Sequence, residues 1–368
     1  MKRLLSFLIC LPLLVISLLL PCSAAELETL SAECAVLYDP AGHRVLYGKN
    51  AEKRHAMAST TKIMTALVAL RHLPLDTLVT VPKEATGVEG SSVYLKEGET
   101  YTLEALLYAL LLQSANDAAE AIAYAVAGGI EPFSDLMNEE AARLRLSNTH
   151  FENPHGLDGE AHYTTARELA VIAAEALENE VLAEIVATRR YNFASTDGKN
   201  PRTLVNHNKM LLLYDGAVGV KTGYTKSCGR CLVTAARRDG LLLISVTLDA
   251  PGDWDDHTEL LDYGFSRYSC RTIADEQELS FSLPLFNSEG AVTVTNRDKL
   301  SLVLPKECAL PAPILDITAP PTAPLVSGTV VGSIVYRSED GRETSSPLIV
   351  TEDIPQPKIK KGWFGRRR

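Results

Sequence analysis

Short strand-like runs bracket a long helical stretch in the first two thirds of the chain, and this order strongly limits the possible folds. Two β-type runs at 33–38 and 44–47 are joined by the turn sequence Asp39-Pro40-Ala41-Gly42. Three further strand candidates follow much later in the chain, at residues 217–222, 230–236 and 241–247. Strands distant in sequence can close into one sheet with the intervening helices packed on it. The order therefore predicts an α/β (α+β) domain built on an antiparallel sheet.

The stretch between these strands shows helical periodicity. Ser59 opens the first predicted helix, and Lys62 lies one turn further along the same face. Ser114-Ala115-Asn116 falls in the junction between the next two predicted helices, and Pro132 suits a first helical position. The predicted helices cover residues 59–70, 102–112, 117–126, 132–144, 165–177 and 253–265.

Helical periodicity disappears after residue 268. Short strand candidates separated by prolines predict a second, all-β domain with a small sandwich architecture. The strand candidates are residues 278–283, 291–295, 300–304, 328–336 and 347–350. We therefore divide the chain into an N-terminal segment (1–25), whose pattern indicates a signal peptide, a main α/β domain (26–268), a β-rich C-terminal domain (269–353) and a basic tail (354–368).

The N-terminus predicts export from the cytoplasm. Lys2 and Arg3 precede an uncharged run at residues 4–20, and small residues follow in an order typical of a cleavage site. An uncleaved membrane anchor and a lipoprotein site at Cys22 are the alternatives. We therefore expect the mature protein on the extracytoplasmic, periplasmic or cell-wall side of the cytoplasmic membrane.

Charge is distributed unevenly along the chain. There are 36 Lys and Arg against 46 Asp and Glu, a net charge of -10, and because such a surface repels phosphates we expect no nucleic-acid partner. Residues 358–368 nevertheless hold six basic side chains together with Trp363 and Phe364. This tail is too short to span a bilayer, and it predicts binding to an anionic membrane surface, with a solvated tail as the alternative.

The cysteines are too few for a fold held together by disulfides. Five follow the predicted signal peptide: Cys34, Cys228, Cys231, Cys270 and Cys308. Cys228-Gly229-Arg230-Cys231 has the spacing of a redox motif, but such motifs stand at a helix N-terminus and Cys231 falls in a strand-like run. The pattern favours structural cysteines and leaves their redox state open.

Several enzyme classes lack their motifs in this sequence. There is no His-Glu-x-x-His zinc motif, no Gly-x-Ser-x-Gly elbow and no phosphate-binding Gly-x-x-x-x-Gly-Lys loop. His150, His155 and His162 are loosely clustered, and loop histidines bonded to the backbone explain them better than a metal site. We therefore expect neither a metal nor a cofactor.

Three short motifs occur in a fixed order: Ser59-Thr60-Thr61-Lys62, Ser114-Ala115-Asn116 and Lys221-Thr222-Gly223. Each is weak alone, but together they resemble the motifs of the serine penicillin-recognising enzymes. Residues 30–268 resemble the D-alanyl-D-alanine carboxypeptidases among the low-molecular-mass penicillin-binding proteins, and the β domain and basic tail resemble that family's C-terminal half. The segments that carry the resemblance are residues 36–40, 58–65, 113–118, 153–158 and 219–224.

The residue types of the first two motifs suit nucleophilic catalysis. The Ser59 hydroxyl needs a base, and Lys62 can act as one only when its amine is neutral. Burial and a second cation, Lys221, both disfavour the ammonium form. Ser114 can relay a proton toward the leaving amine, and Asn116 can bond the substrate amide.

The third motif suits the C-terminal end of a peptide. Lys221 offers a charge and Thr222 a hydroxyl for a carboxylate, while Gly223 leaves room along the strand. The resemblance implies that backbone N–H groups of Ser59 and Tyr224 hold the oxyanion. It also implies an arginine near the carboxylate, for which His207 and Lys209 are the nearby candidates.

These roles predict a serine-type D-Ala-D-Ala carboxypeptidase that acts on peptidoglycan stem peptides and is inhibited by β-lactams. A β-lactamase is one alternative, with Glu175 and Asn179 at suggestive spacing but without the expected loop. A D,D-endopeptidase or transpeptidase and a non-enzymatic penicillin-binding wall module are the others. Decay of at least one motif would indicate the non-enzymatic module, and none is decayed.

Overall fold

The computed structural model describes Leu27, residues 30–339 and residues 341–356. The predicted signal peptide and residues 357–368 of the predicted tail lie outside the described residues.

The described residues contain sixteen strands and eight α-helices. The strands are β1 (Cys34–Asp39), β2 (Arg44–Lys49), β3 (Leu78–Thr80), β4 (Thr100–Thr102), β5 (Arg190–Phe193), β6 (Arg202–Val205), β7 (Ala217–Thr225), β8 (Gly229–Arg238), β9 (Leu241–Leu248), β10 (Tyr268–Ala274), β11 (Ser280–Pro284), β12 (Ala291–Asn296), β13 (Leu300–Pro305), β14 (Pro313–Asp316), β15 (Val330–Arg337) and β16 (Glu343–Val350). The helices are α1 (Lys62–His72), α2 (Leu103–Leu112), α3 (Asn116–Ala127), α4 (Ile130–Arg143), α5 (Ala166–Glu178), α6 (Glu180–Ala187), α7 (Met210–Leu213) and α8 (Asp253–Arg267).

The main sheet has five antiparallel strands in the order β2-β1-β9-β8-β7. Strand β1 is buried along its whole length, because successive side chains enter different cores. Val36 belongs to the large core formed with helices α1 to α6, and Leu37 belongs to the core under α8. The sheet therefore lies between two helical layers, with β7 at its edge.

Local sequence signals explain several of these boundaries. The Asp39 carboxylate accepts hydrogen bonds from the backbone N–H groups of Ala41 (3.1 Å) and Gly42 (3.2 Å), which closes the predicted β1–β2 hairpin. Gly128 ends α3 in a left-handed conformation, with φ at 79°. Thr165 caps α5 by accepting from the N–H of Glu168.

Pro132 does not open its helix as expected. Helix α4 begins at Ile130, so the proline lies within the first helical turn. The N–H groups of a first turn have no intrahelical acceptor, so a residue without an N–H costs nothing there. The prediction was therefore wrong by two residues.

The region after α8 is all-β, as predicted. Five antiparallel strands form a sheet in the order β11-β12-β16-β15-β14, and β10 pairs with β13. The predicted fold class, an antiparallel sheet with packed helices followed by an all-β domain, is confirmed. The boundary at 268/269 falls at the start of β10, and the exact domain limits stay predictions.

The described part of the chain contains no helix that is long and apolar enough to cross a membrane.

Candidate active site

The first motif forms a turn at the edge of the main sheet. Residues Ala58–Thr61 make one 3-10 turn that leads directly into α1, and Lys62 is the first residue of that helix. The hydroxyls of Thr60 and Thr61 bond the carbonyls of Met57 (2.6 Å) and Ala58 (2.8 Å), which holds the turn in place. Ser59 thus lies one turn before Lys62 on the same face, as the spacing predicted.

The Lys62 amine makes three short contacts. Its Nζ lies 2.9 Å from Ser59 Oγ, 2.7 Å from Asn116 Oδ1 and 2.5 Å from the carbonyl oxygen of His155. The amide and carbonyl oxygens can only accept hydrogen bonds, whereas a hydroxyl can also donate. A neutral Lys62, with two N–H groups and one lone pair, therefore presents its lone pair to the Ser59 hydroxyl.

The surroundings of Lys62 favour this neutral form. Its side chain is fully buried, and its pKa lies well below the usual value, first because of burial and next because of the positive charge of Lys221. The carboxylate of Asp117 opposes this shift. Burial dominates, so the amine is prepared to take a proton.

Asn116 is held in a defined orientation. Its Nδ2 donates to the carbonyl oxygen of Glu89 (2.5 Å), which directs Oδ1 toward Lys62. Ser114 is buried in the loop before α3, with φ at 59°. The motif therefore lies beside Lys62 as expected, and Asn116 contacts Lys62. A hydrogen bond from Asn116 to the substrate amide stays a prediction.

Strand β7 carries the third motif along the opposite side of the site. Lys221 is buried and donates to the carbonyl oxygen of Thr222 (2.8 Å), and burial lowers its pKa to about 7. Gly223 packs on the nucleophile turn, since an added Cβ would lie 3.1 Å from Ser59 N and from Met57 O. Because Gly223 has no side chain, β7 can pack closely against the turn that carries Ser59. The Tyr224 side chain is exposed.

A loop at residues 153–158 completes the surroundings of Lys62. Asn153 Oδ1 accepts from the N–H groups of Gly156 (2.7 Å) and His155 (3.3 Å), which shapes the loop. Gly156 has φ at 88°, and a Cβ there would lie 1.9 Å from the carbonyl oxygen of Ala58. Only glycine fits this contact. The loop was part of the family resemblance, but the His155 carbonyl as a partner of Lys62 was not predicted.

Two acidic residues of α3 support the site and were also missed. Asp117 accepts from Ser92 Oγ (2.6 Å) and from the N–H groups of Leu95 (2.9 Å) and Val93 (3.2 Å), which fixes the loop beside Asn116. Glu120 Oε1 lies 3.4 Å from His155 Nε2. Asp117 directly follows Asn116 and Glu120 lies one helical turn after it, and this position on α3 is the only signal that the sequence offered.

The three loop histidines have protein partners. Nδ1 of His150 contacts the carbonyl oxygen of Ala161 (2.8 Å), and Nδ1 of His155 accepts from the N–H of Leu157 (3.2 Å). Nε2 of His162 contacts Thr61 Oγ1 at 2.7 Å. Burial lowers the pKa of His162 to about 4. These contacts agree with loop histidines bonded to the protein itself.

The other candidates of the sequence lie in different settings. The N–H of His207 donates to the carbonyl oxygen of Leu112 (3.2 Å), and desolvation, followed by the charge of Lys221, lowers the pKa of its ring. Lys209 is exposed at the start of α7. Glu175 binds Arg71 (2.7 Å) and Arg143 in ion pairs, and Asn179 caps α6. Glu175 therefore links helices through ion pairs and Asn179 caps a helix, and both roles are structural.

One group among the described residues has metal-ligand character. Single atoms of Glu33, His55 and Asp249 lie within 4.8 Å of one another. Glu33 is paired with Lys53, and His55 lies 3.4 Å from Glu33, so side-chain pairing accounts for the cluster. None of these three residues is among the contacts of Lys62, so this cluster is separate from the candidate active site.

A buried lysine directed at a serine hydroxyl, on a helix against the edge strand of an antiparallel sheet, defines a serine peptidase of the penicillin-binding class. Residues 22–252 match the family model described as D-alanyl-D-alanine carboxypeptidase. The chain belongs to this family and is a serine-type hydrolase.

Individual relatives agree with this assignment. The chain is 33% identical to D-alanyl-D-alanine carboxypeptidase DacC of Escherichia coli, over 93% of this chain and 88% of the relative. It is 30% identical to DacF of Bacillus subtilis, over 88% of this chain and 86% of the relative. The crystal structure of penicillin binding protein 5 from Haemophilus influenzae superposes with a TM-score of 0.73 at 25% identity, covering 89% of this chain and 99% of that one.

Proposed function

We propose that this carboxypeptidase removes the terminal D-alanine from peptidoglycan pentapeptides through an acyl-enzyme at Ser59. The observation that carries the proposal is the contact of 2.9 Å between Ser59 Oγ and the Nζ of a buried lysine whose other two partners can only accept. Such a contact supplies an activated serine without a histidine.

In the acylation step, Lys62 Nζ takes the proton of Ser59 as Oγ attacks the carbonyl carbon of the penultimate D-alanine. The resulting oxyanion is held by the N–H groups of Ser59 and Tyr224. The close approach of Gly223 to Ser59 N supports this role, because it brings the backbone of β7 next to the turn that carries Ser59. Lys62 then returns this proton through the Ser114 hydroxyl to the departing amine, the C–N bond breaks, and Lys62 is neutral again.

In the deacylation step, a water molecule attacks the ester. Lys62 is again the group that accepts its proton, and the Ser59 hydroxyl is restored when the ester bond breaks. Glu175, the glutamate that the β-lactamase alternative would use, binds Arg71 and Arg143 instead. This arrangement supports hydrolysis of a peptide rather than a class A β-lactamase mechanism.

Lys221 and Thr222 bind the terminal carboxylate of the substrate in this proposal. The pKa of Lys221, about 7 without substrate, leaves a large fraction of the side chains protonated at neutral pH. A bound carboxylate raises the pKa and favours the ammonium further. The same two groups and the same nucleophile accept a β-lactam, which offers a carboxylate beside a strained amide.

Mass spectrometry after penicillin treatment tests the acylation site. We expect the mass of the drug on the peptide that contains Ser59, and no label on Ser59→Ala. The matched control is Ser266→Ala, which removes an exposed hydroxyl from α8 and should label as the wild type does. Label on any other residue, or on Ser59→Ala, contradicts the assignment.

Peptide products test the reaction itself. A pentapeptide ending in D-Ala-D-Ala should lose one D-alanine and accumulate as the tetrapeptide. Cleavage of a cross-linked peptide at a higher kcat/KM than the pentapeptide identifies an endopeptidase instead, and binding of penicillin without turnover of either peptide identifies a non-enzymatic module.

We also propose that the protein is exported and that residues 358–368 hold it reversibly at an anionic membrane surface. Each cation near such a surface contributes about 1 kcal/mol at best, and Trp363 and Phe364 add interfacial side chains. The chain lacking the signal peptide should sediment with anionic vesicles at low salt, and a truncation after Pro357 should stay in solution. Equal partition of both chains means that the tail is not an anchor.

A further inference from the structure

Two cysteines lie at the turn that joins β7 to β8. Cys228 stands between the strands, and Cys231 is the third residue of β8. Both side chains are buried, and their Sγ atoms are 3.9 Å apart. A disulfide needs about 2.05 Å between its sulfurs, so the two side chains and the turn would have to rotate only slightly for the bond to form.

The pair lies directly beneath the candidate active site. Cys231 is opposite Gly223 in the β7–β8 register, and its Sγ lies 3.8 Å from the carbonyl oxygen of Ala56. Ala56 leads into the turn that carries Ser59, on which Gly223 also packs. Cys231 therefore supports the nucleophile turn from the sheet side.

Cys228 is connected to the loop that holds Lys62. Its Sγ lies 3.1 Å from Thr225 Oγ1, and the same hydroxyl lies 2.9 Å from Asp158 Oδ1. Ser227 Oγ donates to the other oxygen of Asp158 at 2.5 Å. Asp158 ends the loop whose His155 carbonyl contacts Lys62. A displacement of the turn is thereby transmitted to both sides of the site.

We propose that Cys228 and Cys231 are a redox-active pair that closes to an intrachain disulfide, and that closure slows acylation at Ser59. The formation of the bond goes beyond the proposed function, whereas its kinetic effect rests on it. Neither cysteine has a part in the chemistry of the peptide.

A low-molecular-weight disulfide, R–S–S–R, serves as the oxidant. The Cys228 thiolate attacks one sulfur and displaces R–S⁻, which leaves a mixed disulfide. The Cys231 thiol then loses its proton, attacks Cys228 Sγ and displaces the second R–S⁻. The two cysteines thus give up two electrons and two protons, and the oxidant is reduced to two R–SH.

The electrostatics suit this order of events. Hydrogen bonding from Cys231, and then from Thr225, lowers the pKa of Cys228 to about 6, whereas the pKa of Cys231 is raised. At neutral pH Cys228 is therefore the thiolate that attacks. Lys226 and Ser227 beside it are exposed, so the oxidant needs only a local opening of the turn.

Closure has a geometric cost for the site. The sulfurs must approach by almost 2 Å, and the β7–β8 ladder fixes Cys231, so the turn with Cys228 moves. Because Cys228 Sγ contacts the Thr225 hydroxyl, we expect this movement to weaken the contact between Thr225 and Asp158 at the end of β7, next to Tyr224. Because misplacements near 1 Å can cost about a hundredfold in rate, we expect acylation to slow by about tenfold.

The test uses the full mature chain treated with oxidised glutathione or with dithiothreitol. Non-reducing peptide mapping should show a bond between Cys228 and Cys231, with a loss of about 2 Da that dithiothreitol reverses. Cys231→Ser should instead retain glutathione on Cys228. A chain in which Cys270 and Cys308 are replaced by serine should still form the bond. Absence of this bond in the oxidised wild type, or pairing of either cysteine with another one, overturns the proposal.

Acylation by a fluorescent penicillin measures the kinetic effect. The rate of the oxidised wild type should be about a tenth of the reduced rate, and the double variant Cys228→Ser/Cys231→Ser should give one rate under both conditions. Equal rates for a fully oxidised and a fully reduced wild type overturn the kinetic part even where the bond forms. The wild-type comparison needs no variant to fold. Loss of acylation in every sample, with the bond present, contradicts the proposed function and leaves the disulfide established.

Discussion

Replacement of Gly156 by alanine should separate the geometry of the site from the stability of the fold. A Cβ at this position would lie 1.9 Å from the carbonyl oxygen of Ala58 and 2.8 Å from Thr61 Oγ1. Contacts under 3.0 Å are essentially never seen, so the loop and the nucleophile turn must move apart by about 1.1 Å. The His155 carbonyl precedes Gly156 and moves away from Lys62 with it.

The size of the effect follows from two contributions. The left-handed backbone of Gly156 costs an alanine about 1 kcal/mol of stability, and the overlap adds about 1 to 3 kcal/mol. The displacement acts on the rate as well. A shift near 1 Å of the His155 carbonyl away from Lys62 changes how the lysine amine is held toward Ser59 and lowers acylation by up to about a hundredfold.

Gly128→Ala is the matched control. Gly128 also has a left-handed backbone, with φ at 79°, but an added Cβ meets nothing within 4 Å. Gly128→Ala should lose about 1 kcal/mol in urea unfolding and acylate at the wild-type rate. If Gly156→Ala matches this control in both stability and penicillin acylation, the contact between the loop and the nucleophile turn does not position the site.

Three further predictions concern titrating groups. Lys62→Arg should abolish acylation by penicillin because arginine stays charged, while Lys221→Arg retains part of it; equal rates for Lys62→Arg and the wild type contradict the assigned base. The KM for the pentapeptide should rise as pH increases through 7 in the wild type, as Lys221 loses its charge, and should stay level in Lys221→Arg. Burial lowers the pKa of His257 to about 3, so this residue should contribute about 3 kcal/mol to the loss of stability from pH 6.5 to pH 4; in urea unfolding His257→Gln should lose less than the wild type by about this amount, and equal losses contradict it.

The order of strands and helices was readable from the sequence because local chemistry marks it. The Asp39 turn, the Gly128 cap and the β-type run of β1 are all local signals, and each is found where it was expected. Short pairs such as β3–β4 and β5–β6 were missed, since runs of three or four residues show no clear period. The start of α4 was misplaced because Pro132 is tolerated anywhere in a first turn.

The sequence predicted the side chains of the site but not its backbone contacts. The three motifs could be found in the sequence because their residue types are distinctive, and the structure places Ser59, Asn116 and Lys221 around Lys62. The carbonyl oxygens of His155 and Glu89 could not be predicted, since every residue carries one and only the fold decides which faces a buried lysine. The role of Gly156 could not be predicted either, because it contacts Ala58, which is distant in sequence.

The buried lysines connect the stability of this protein to its chemistry. Lys221 has a folded pKa of about 7 against 10.5, so between these values the unfolded chain binds a proton that the folded chain does not. Its contribution to stability therefore increases with pH across this range, by roughly 5 kcal/mol in all, since each pKa unit corresponds to about 1.4 kcal/mol. The charge that binds a carboxylate decreases over the same range. Lys221 thus contributes most to stability where it is neutral, and binding of the substrate carboxylate returns the proton that folding removes.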